Sequence, residues 1–341
     1  MLSRYRPLFL ALSVMILLLL AYTAYWAAAA WRLSKALAEA SGKAAEKNVE
    51  LTLDHPAVAG FPLRLTVNLS GLRAQWPSGT LVEAGPLTLS AWAWSPLDIT
   101  LETVAPLRLD LAGSARHAPA SGTATGLTGR AELGLDGKPR LVSATLTGVR
   151  AQTDAPLAAA EVVVSWTAPA QAPEGPTDPQ GRIDLLVRDL DLPGAVPPPL
   201  KPRIDQLALS YEARGPLPAK PSVEGMTAWR DGGGTLEIPG ARLLWSGMDL
   251  RANATLALDG AMQPAGKGTA ELSGAETLID MLVENGSLRP EQAEGAKAGM
   301  TMLGRRTDDG RSVLSVPILL KNSQLFLGPL HVATLPPIPW N

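Results

Sequence analysis

From Met248 to Asp259 the residue type changes at every step. Met248, Leu250, Ala252, Ala254, Leu256 and Leu258 alternate with Asp249, Arg251, Asn253, Thr255, Ala257 and Asp259. Side chains on a strand point to opposite faces with a period of two, while a helix repeats near 3.6, so this run is a strand and not a helix. Such a strand buries one face and wets the other. The pattern recurs along the chain. Val49, Leu51 and Leu53 alternate with Glu50, Thr52 and Asp54; Leu63, Leu65, Val67 and Leu69 oppose Arg64, Thr66, Asn68 and Ser70; Leu107, Leu109 and Leu111 flank Arg108 and Asp110. Further strands are predicted at 87–89, 99–103, 131–135, 142–146, 162–166, 183–192, 207–213, 313–320 and 324–332. Asp136-Gly137, Asp231-Gly232 and Asp259-Gly260 are turn dipeptides.

These strands are joined by short turns or by the Pro-rich stretches 168–181 and 193–202, without a strand–helix–strand rhythm. A parallel doubly wound sheet is therefore excluded. The 30 prolines and 32 glycines fit many short strands and turns rather than a helical bundle. The expected fold is mainly β: a long curved antiparallel sheet (a half-pipe, an open barrel-like form, or a sandwich) with an N-terminal transmembrane helix and a few short helices. A sheet of about a dozen strands must curl to cover its apolar face. The sizeable helices expected beyond the anchor are 32–47, 274–285 and 290–304. The second opens at Ser273-Gly-Ala-Glu276, which reads as a capping box. The third opens at Pro290, a favoured first-turn residue.

Arg4 and Arg6 precede a stretch without charge from Pro7 to Trp31. As a helix it reaches about 37 Å, more than the roughly 30 Å hydrocarbon core of a bilayer. Tyr22, Tyr25, Trp26 and Trp31 form an aromatic belt at its far end. A cleaved secretory signal is the rival reading, with Ala27 to Ala30 as the small-residue exit, but bulky aromatics crowd that site. Both readings export the bulk of the chain. The organisation expected is a transmembrane anchor at 1–31, a helical stem at 32–47 and a periplasmic β-rich domain at 48–341 with a helical insertion near 274–304, all held at the inner membrane.

Composition excludes several function classes. There is no cysteine, so disulfides, thiolate metal sites and a cysteine nucleophile are ruled out. A net charge of −2 gives no footprint for nucleic acid. No Gly-x-Ser-x-Gly elbow and no P-loop occurs; Gly266-Lys267 has the wrong surroundings. His55, His117 and His331 are scattered and read as exposed turn residues. Asp98, Glu102 and Asp110 could pair across strands as an acid/base couple, although a solvated sheet face accounts for them better. Asn68-Leu-Ser70 and Asn253-Ala-Thr255 read as polar strand faces rather than glycosylation acceptors. Trp76, Trp92, Trp94, Trp166, Trp229 and Trp245 lie in or beside strands. They read as core filling, against the alternative of an aromatic stripe for sugars or lipid. No catalytic residue, metal site or cofactor is expected.

Several phrases occur in a telling order. Gly60-Phe-Pro-Leu-Arg-Leu-Thr-Val follows the anchor and stem; Ala84-Gly-Pro-Leu-Thr-Leu-Ser-Ala-Trp92 and Asp98-Ile-Thr-Leu come next. Gly247-Met-Asp-Leu-Arg-Ala-Asn-Ala-Thr-Leu-Ala-Leu-Asp259 and Pro264-Ala-Gly-Lys-Gly-Thr-Ala-Glu-Leu-Ser-Gly274 lead into the later helices. Over nearly its whole length the chain resembles the bacterial family of unknown function numbered 2125, anchored envelope proteins built mainly of strands. The late phrases are also similar to the wider AsmA-like superfamily, which has an N-terminal anchor and a long grooved sheet. That second resemblance implies lipid handling at the periplasmic side of the inner membrane, and supplies no catalytic residues.

The function expected is non-enzymatic: binding or guiding lipid acyl chains in a groove of the curved sheet. The candidate groove residues are Leu63, Leu65, Val67, Leu69, Met248, Leu250, Ala252, Ala254, Leu256 and Leu258. The partners expected are the membrane, lipid and other envelope proteins, and not nucleic acid. The alternative is an envelope scaffold with a closed β core that presents sheet edges or the Pro-rich loops. In either case, alkaline phosphatase fused after Arg32 is expected to be active in a bacterial host; an inactive fusion contradicts the export of everything beyond the anchor.

Overall fold

The computed structural model describes residues 6–340, except 47, 104–105, 114–118, 154, 172, 176, 195, 197–199, 219–221, 275–278, 281–282, 285, 287, 304, 307–311, 329 and 339. The protein is mainly β, with 55% strand, and its strand ladders are antiparallel. The first element is one long helix, α1 (Arg6–Glu46), in which predicted anchor and stem are continuous. Ala and Leu, the strongest helix formers, dominate it, and Pro7 sits harmlessly in the first turn. Asn48, at φ 57°, ends it: the amides of Asn48 and Val49 turn back to the carbonyls of Ala45 and Ala44, each at 2.9 Å. The chain then divides into two compact units, Met1–Pro139 and Arg140–Asn341.

The first unit holds β1 (Glu50–Asp54), β2 (Ala57–Ala59), β3 (Arg64–Leu69), β4 (Gly71–Gln75), β5 (Leu81–Ala84), β6 (Leu87–Trp92), β7 (Ser95–Thr103), β8 (Leu107–Leu111), β9 (Ala120–Ala124) and β10 (Gly126–Leu133). Pairing traces two antiparallel ladders among the described residues. One runs β2-β3-β6-β7-β10 and the other β1-β4-β5-β8-β9. The chain passes between the two ladders five times, at His55-Pro56, at Ser70, at Gly85-Pro86, between β7 and β8, and at Thr125. Their apolar faces share a core. Val67, Leu69 and Leu87 are at most 5% exposed, with Leu53, Leu72, Ala84, Leu89 and Leu101 packed around them and Leu33 and Leu37 of α1 laid on top.

The second unit is a long antiparallel series: β11 (Pro139–Gln152), β12 (Leu157–Thr167), β13 (Pro179–Asp191), β14 (Arg203–Arg214), β15 (Thr235–Trp245), β16 (Met248–Leu258), β17 (Pro264–Ser273), β18 (Arg305–Arg306), β19 (Ser312–Lys321), β20 (Gln324–Leu327) and β21 (Leu330–Thr334). Each strand from β11 to β17 pairs with the next, β17 then pairs with β19, and β20 and β21 follow; short β18 lies against the start of β19. Helix α2 (Val223–Asp231) interrupts β14 and β15, and α3 (Pro290–Leu303) precedes β18. The Trp229 indole donates to the Arg214 carbonyl at 2.8 Å, which seats α2 at the end of the ladder where β14 stops. The extended tail is held to the β16–β17 turn, where Trp340 donates to the Met262 carbonyl at 2.7 Å and Gln263 exchanges two bonds with Ile338.

Several expectations need correcting. Helix α2 was not among the expected helices. Ser222 caps it by accepting from the Gly225 amide, and Asp231-Gly232 is its C-terminus, not a hairpin turn. Ser273 is the last residue of β17, paired with Asp249 and Val313; Ala275 and Glu276 of the predicted capping box lie outside the described residues, while 279–280 and 283–284 are helical. Leu135 is not strand: it sits on the β10–β11 turn, 96% exposed. Strands β2, β4, β5, β9, β15, β17 and β18 were not foreseen, and the single strand expected at 324–332 is two, β20 and β21.

The polar face of the second unit is stitched by ion pairs. Asp249 accepts two bonds from the Arg242 guanidinium, at 2.9 and 2.8 Å, and one from Arg251 at 3.0 Å. Arg242 first, and Arg251 with it, hold its carboxyl below the ordinary carboxylate value despite partial burial. A depressed folded value means that the stabilisation is complete above the unfolded carboxylate value and fades as pH falls through the folded one. Asp249→Asn is therefore expected to lower unfolding stability at pH 7 by about 1–2 kcal/mol, discounted for the exposure of both arginines. The deficit relative to wild type should shrink as pH drops below the ordinary carboxylate range. Denaturant titrations at pH 7 and pH 3 that give the same deficit would contradict this role.

Candidate functional site

Directly opposed residues on neighbouring strands project to the same face. In the second unit, register alone builds one apolar surface. Leu146, Ala144 and Val142 of β11 lie opposite Val162, Val164 and Trp166 of β12, which lie opposite Val187, Leu185 and Ile183 of β13. These continue to Leu207, Leu209 and Tyr211 of β14, then to Leu243 and Ala241 of β15 and Leu250 and Ala252 of β16. Leu272 and Ala270 of β17 and Leu314 and Val316 of β19 complete the series. At about 4.8 Å per strand spacing these eight strands present a strip about 34 Å long.

A one-residue bulge in β15 keeps the strip in phase. Ile238 opposes Ala254, yet Ala241, three residues on, opposes Ala252 only two residues away. The extra residue falls at Pro239-Gly240. It lets Leu236 and Ile238 share a face with Ala241, Leu243 and Trp245, which an unbroken strand could not do. The other face carries Glu161–Arg188, Arg182–Asp184 and the Arg242–Asp249–Arg251 cluster.

The strip is only half-covered. Met248, Leu250, Ala252, Ala254, Leu256 and Leu258, six of the predicted site residues, are all partly exposed, and Val142 and Val164 stand 41% and 40% exposed. Gly266 and Gly268 of β17 oppose Leu256 and Ala254. A Cβ at Gly268 would fall 2.0 Å from the Asn253 carbonyl oxygen, so these positions lower the floor beside β16 and admit no side chain.

The other four predicted residues lie in the first unit and are placed differently. Leu65, Val67 and Leu69 are 7%, 4% and 4% exposed, while Leu63 is 54% exposed at the end of the ladder. Leu69 is packed core. Leu65 and Val67 border a crevice of about 510 Å³ between α1 and the β3-β6-β7 face, lined also by Tyr25, Leu33, Leu37, Leu89 and Ile99. Its size falls in the range of small-ligand sites. Helix α1 thus covers this face, which its charged-and-apolar stem sequence did not reveal.

The aromatic belt of α1 does more than mark a boundary. The Tyr22 hydroxyl donates to the Pro62 carbonyl, Tyr25 to the Ala93 carbonyl at 3.0 Å, and the Trp26 indole to the Arg64 carbonyl at 3.0 Å. Phe61 meets the Trp26 ring edge-on, with centroids 5.3 Å apart. The only hint in the sequence was that these rings carry polar tips in need of partners. The core-filling reading of the tryptophans holds for Trp229, at 6% exposure, and not for the surface pair: Trp92 and Trp94 stack on each other at 4.8 Å, 39% and 65% exposed, with the Arg64 guanidinium 4.2 Å above Trp92.

The titratable groups do not converge. Asp98 is bound by Arg130 through two bonds of 2.9 and 3.0 Å, and Asp110 by Arg108 at 2.8 Å, so each faces a cation rather than another carboxylate. His55 is an exposed turn residue, His117 lies outside the described residues, and His331 belongs to strand β21 rather than a turn. Among the described residues, no set of three or more His, Asp or Glu side chains could hold a metal ion. Helix α1 is the one helix among them long and apolar enough to cross a membrane; Val14 to Leu20 are 48–68% exposed along it.

A long β ladder behind an apolar N-terminal helix is the organisation that the sequence phrases led to, and the comparison with known families agrees. The family of uncharacterised proteins conserved in bacteria, DUF2125, matches residues 26–336. The chain belongs to DUF2125. The match begins at Trp26, inside α1, and runs past β21, so this DUF2125 protein carries the helix-covered first unit and the long ladder together within the family region. No curated protein and no solved structure matches it.

The difference between covered and half-covered apolar faces has a measurable consequence. Val67→Asp would place a carboxylate in a closed core and is expected to cost several kcal/mol. Val164→Asp, on a side chain 40% exposed, is expected to cost less than about 1.5 kcal/mol. Equal losses in denaturant unfolding would show that the β12 face is as dry as the core under α1.

Proposed function

We propose that this DUF2125 protein is a non-enzymatic, single-pass inner-membrane protein that binds or guides lipid acyl chains on the apolar face of its second unit, in the periplasm. One observation carries the reading: an apolar strip eight strands wide on which most side chains remain partly exposed, with Val187 and Ala270 buried among them. Soluble monomers rarely leave a contiguous apolar surface of this extent to water. Each methylene of an acyl chain that the strip removes from water contributes about 0.8 kcal/mol. The crevice beside Leu65 and Val67 is a second apolar site, next to the helix that reads as the anchor. An AsmA-like mode of lipid handling belongs to this proposal, supported by the same long antiparallel ladder behind an N-terminal helix.

The alternative, an envelope scaffold, draws its support from the Val67–Leu69–Leu87 core, whose side chains are at most 5% exposed and packed by Leu33 and Leu37 of α1.

The test is native mass spectrometry of the detergent-extracted full chain, with Leu256→Asp beside the wild type. Copurified phospholipid on the wild type is expected. In the variant the carboxylate keeps water, so the melting temperature should fall only slightly while the lipid is lost. No lipid on the wild type, or wholesale unfolding of the variant, would favour the scaffold.

A further inference from the structure

The loops that receive the α1 aromatics are themselves apolar and open. Phe61 and Leu63 are 52% and 54% exposed, and Trp94, stacked on Trp92, is 65% exposed. The two loops are one rim, since the Ala93 amide donates to the Leu63 carbonyl at 3.0 Å. Gly60 makes the first loop possible: its φ is +100° and a Cβ would fall 2.6 Å from the Arg64 carbonyl oxygen. The rim is therefore a built feature of the first unit and not frayed chain.

Its height is set by α1. A hydrocarbon core of roughly 30 Å needs about 20 helical residues, whereas Pro7 to Tyr22 supplies only about 22 Å. The helix cannot complete a crossing before Tyr22, and Tyr22, Tyr25 and Trp26 are the residues hydrogen-bonded to the carbonyls of Pro62, Ala93 and Arg64. Whatever depth the belt occupies, the rim occupies with it. Tyr and Trp partition to the headgroup boundary, where one end of the ring is apolar and the other wet. The rim offers the same chemistry, with exposed Phe61 and Trp94 and, over the Trp92 ring, the Arg64 guanidinium, a group suited to phosphate.

We propose that loops 60–63 and 92–94 are inserted in the headgroup–glycerol layer of the bilayer crossed by α1, with phospholipid as the ligand of this rim. The inference rests on the anchoring role given to α1 above. It makes the first unit a membrane-seated module rather than a domain swinging on a tether, and it sets the Tyr25 side of the apolar crevice toward the lipid.

Because the chain has no cysteine, single positions can be spin-labelled without other changes. Leu17→Cys, Leu63→Cys, Trp94→Cys and Lys138→Cys of the full chain are reconstituted in phosphatidylethanolamine–phosphatidylglycerol vesicles. Accessibility to oxygen is then compared with that to a water-soluble nickel chelate. Labels at 63 and 94 should be oxygen-favoured and shielded from nickel, with an oxygen-to-nickel ratio severalfold above that at 138 and below that at 17. Leu63→Cys keeps every rim aromatic, so the reading does not depend on the Trp94 variant folding. If 63 and 94 match 138 while 17 stays shielded, the rim is in water and the proposal is overturned with the anchor intact. If 17 is also open to nickel, the anchoring role fails and the proposal with it.

Discussion

Strand register is the constraint on which the rest of the second unit depends. On the strip face, the ladder contacts from β11 to β19 set apolar side chains beside apolar ones, and a slip of one residue would turn that strand's apolar set to the ion-paired face. The ion pairs act as the matching constraint on the other side. Glu161 with Arg188 bridges β12 and β13, and Arg242 with Asp249 bridges β15 and β16, so the polar face reads the same register as the apolar one. The Pro239-Gly240 bulge is the place where this rule is visible as a device: one residue is inserted, and the face is preserved.

The first unit solves the same problem by covering its apolar face. Leu33 and Leu37 of α1 lie over the core formed by β3 and β6, and the aromatic tips of the same helix grip the loop carbonyls at the end of that ladder. Burial and directed hydrogen bonds therefore act along one helix. The hydrogen bonds fix how far α1 extends beyond the sheet, and the leucines fix which face it covers. In the second unit, α2 and the C-terminal tail seat at the strand end near Met262 and leave the strip itself half-exposed.

Alternation made β1, β3, β8, β14 and β16 legible in the sequence. The elements that escaped did so for physical reasons. In β15 the bulge breaks the alternation and places a proline in mid-strand, which ordinarily argues against a strand. In β17 the apolar face is Pro264, Gly266, Gly268, Ala270 and Leu272, small enough to hide the period. Strands β2, β4, β5 and β9 are at most five residues long. Helix α2 has only nine residues, and Met226 and Trp229 are its two buried side chains, too short an apolar pattern to stand out. Of the site, the apolar face of β16 could be read directly, but not whether it is covered, because inward positions look alike in a groove and in a closed core. The coverage of Leu65, Val67 and Leu69 could not, because the helix that covers them is far away in sequence.

The central claim is that lipid, and not protein, covers the apolar strip. Site-specific photocrosslinking in growing cells tests it most directly, with a photoreactive residue at Leu250 on the strip and at Asn253 on the opposite face. The account predicts phosphate-labelled lipid adducts at position 250 and none at 253. Protein adducts without lipid at 250, or equal lipid labelling at both positions, would contradict it.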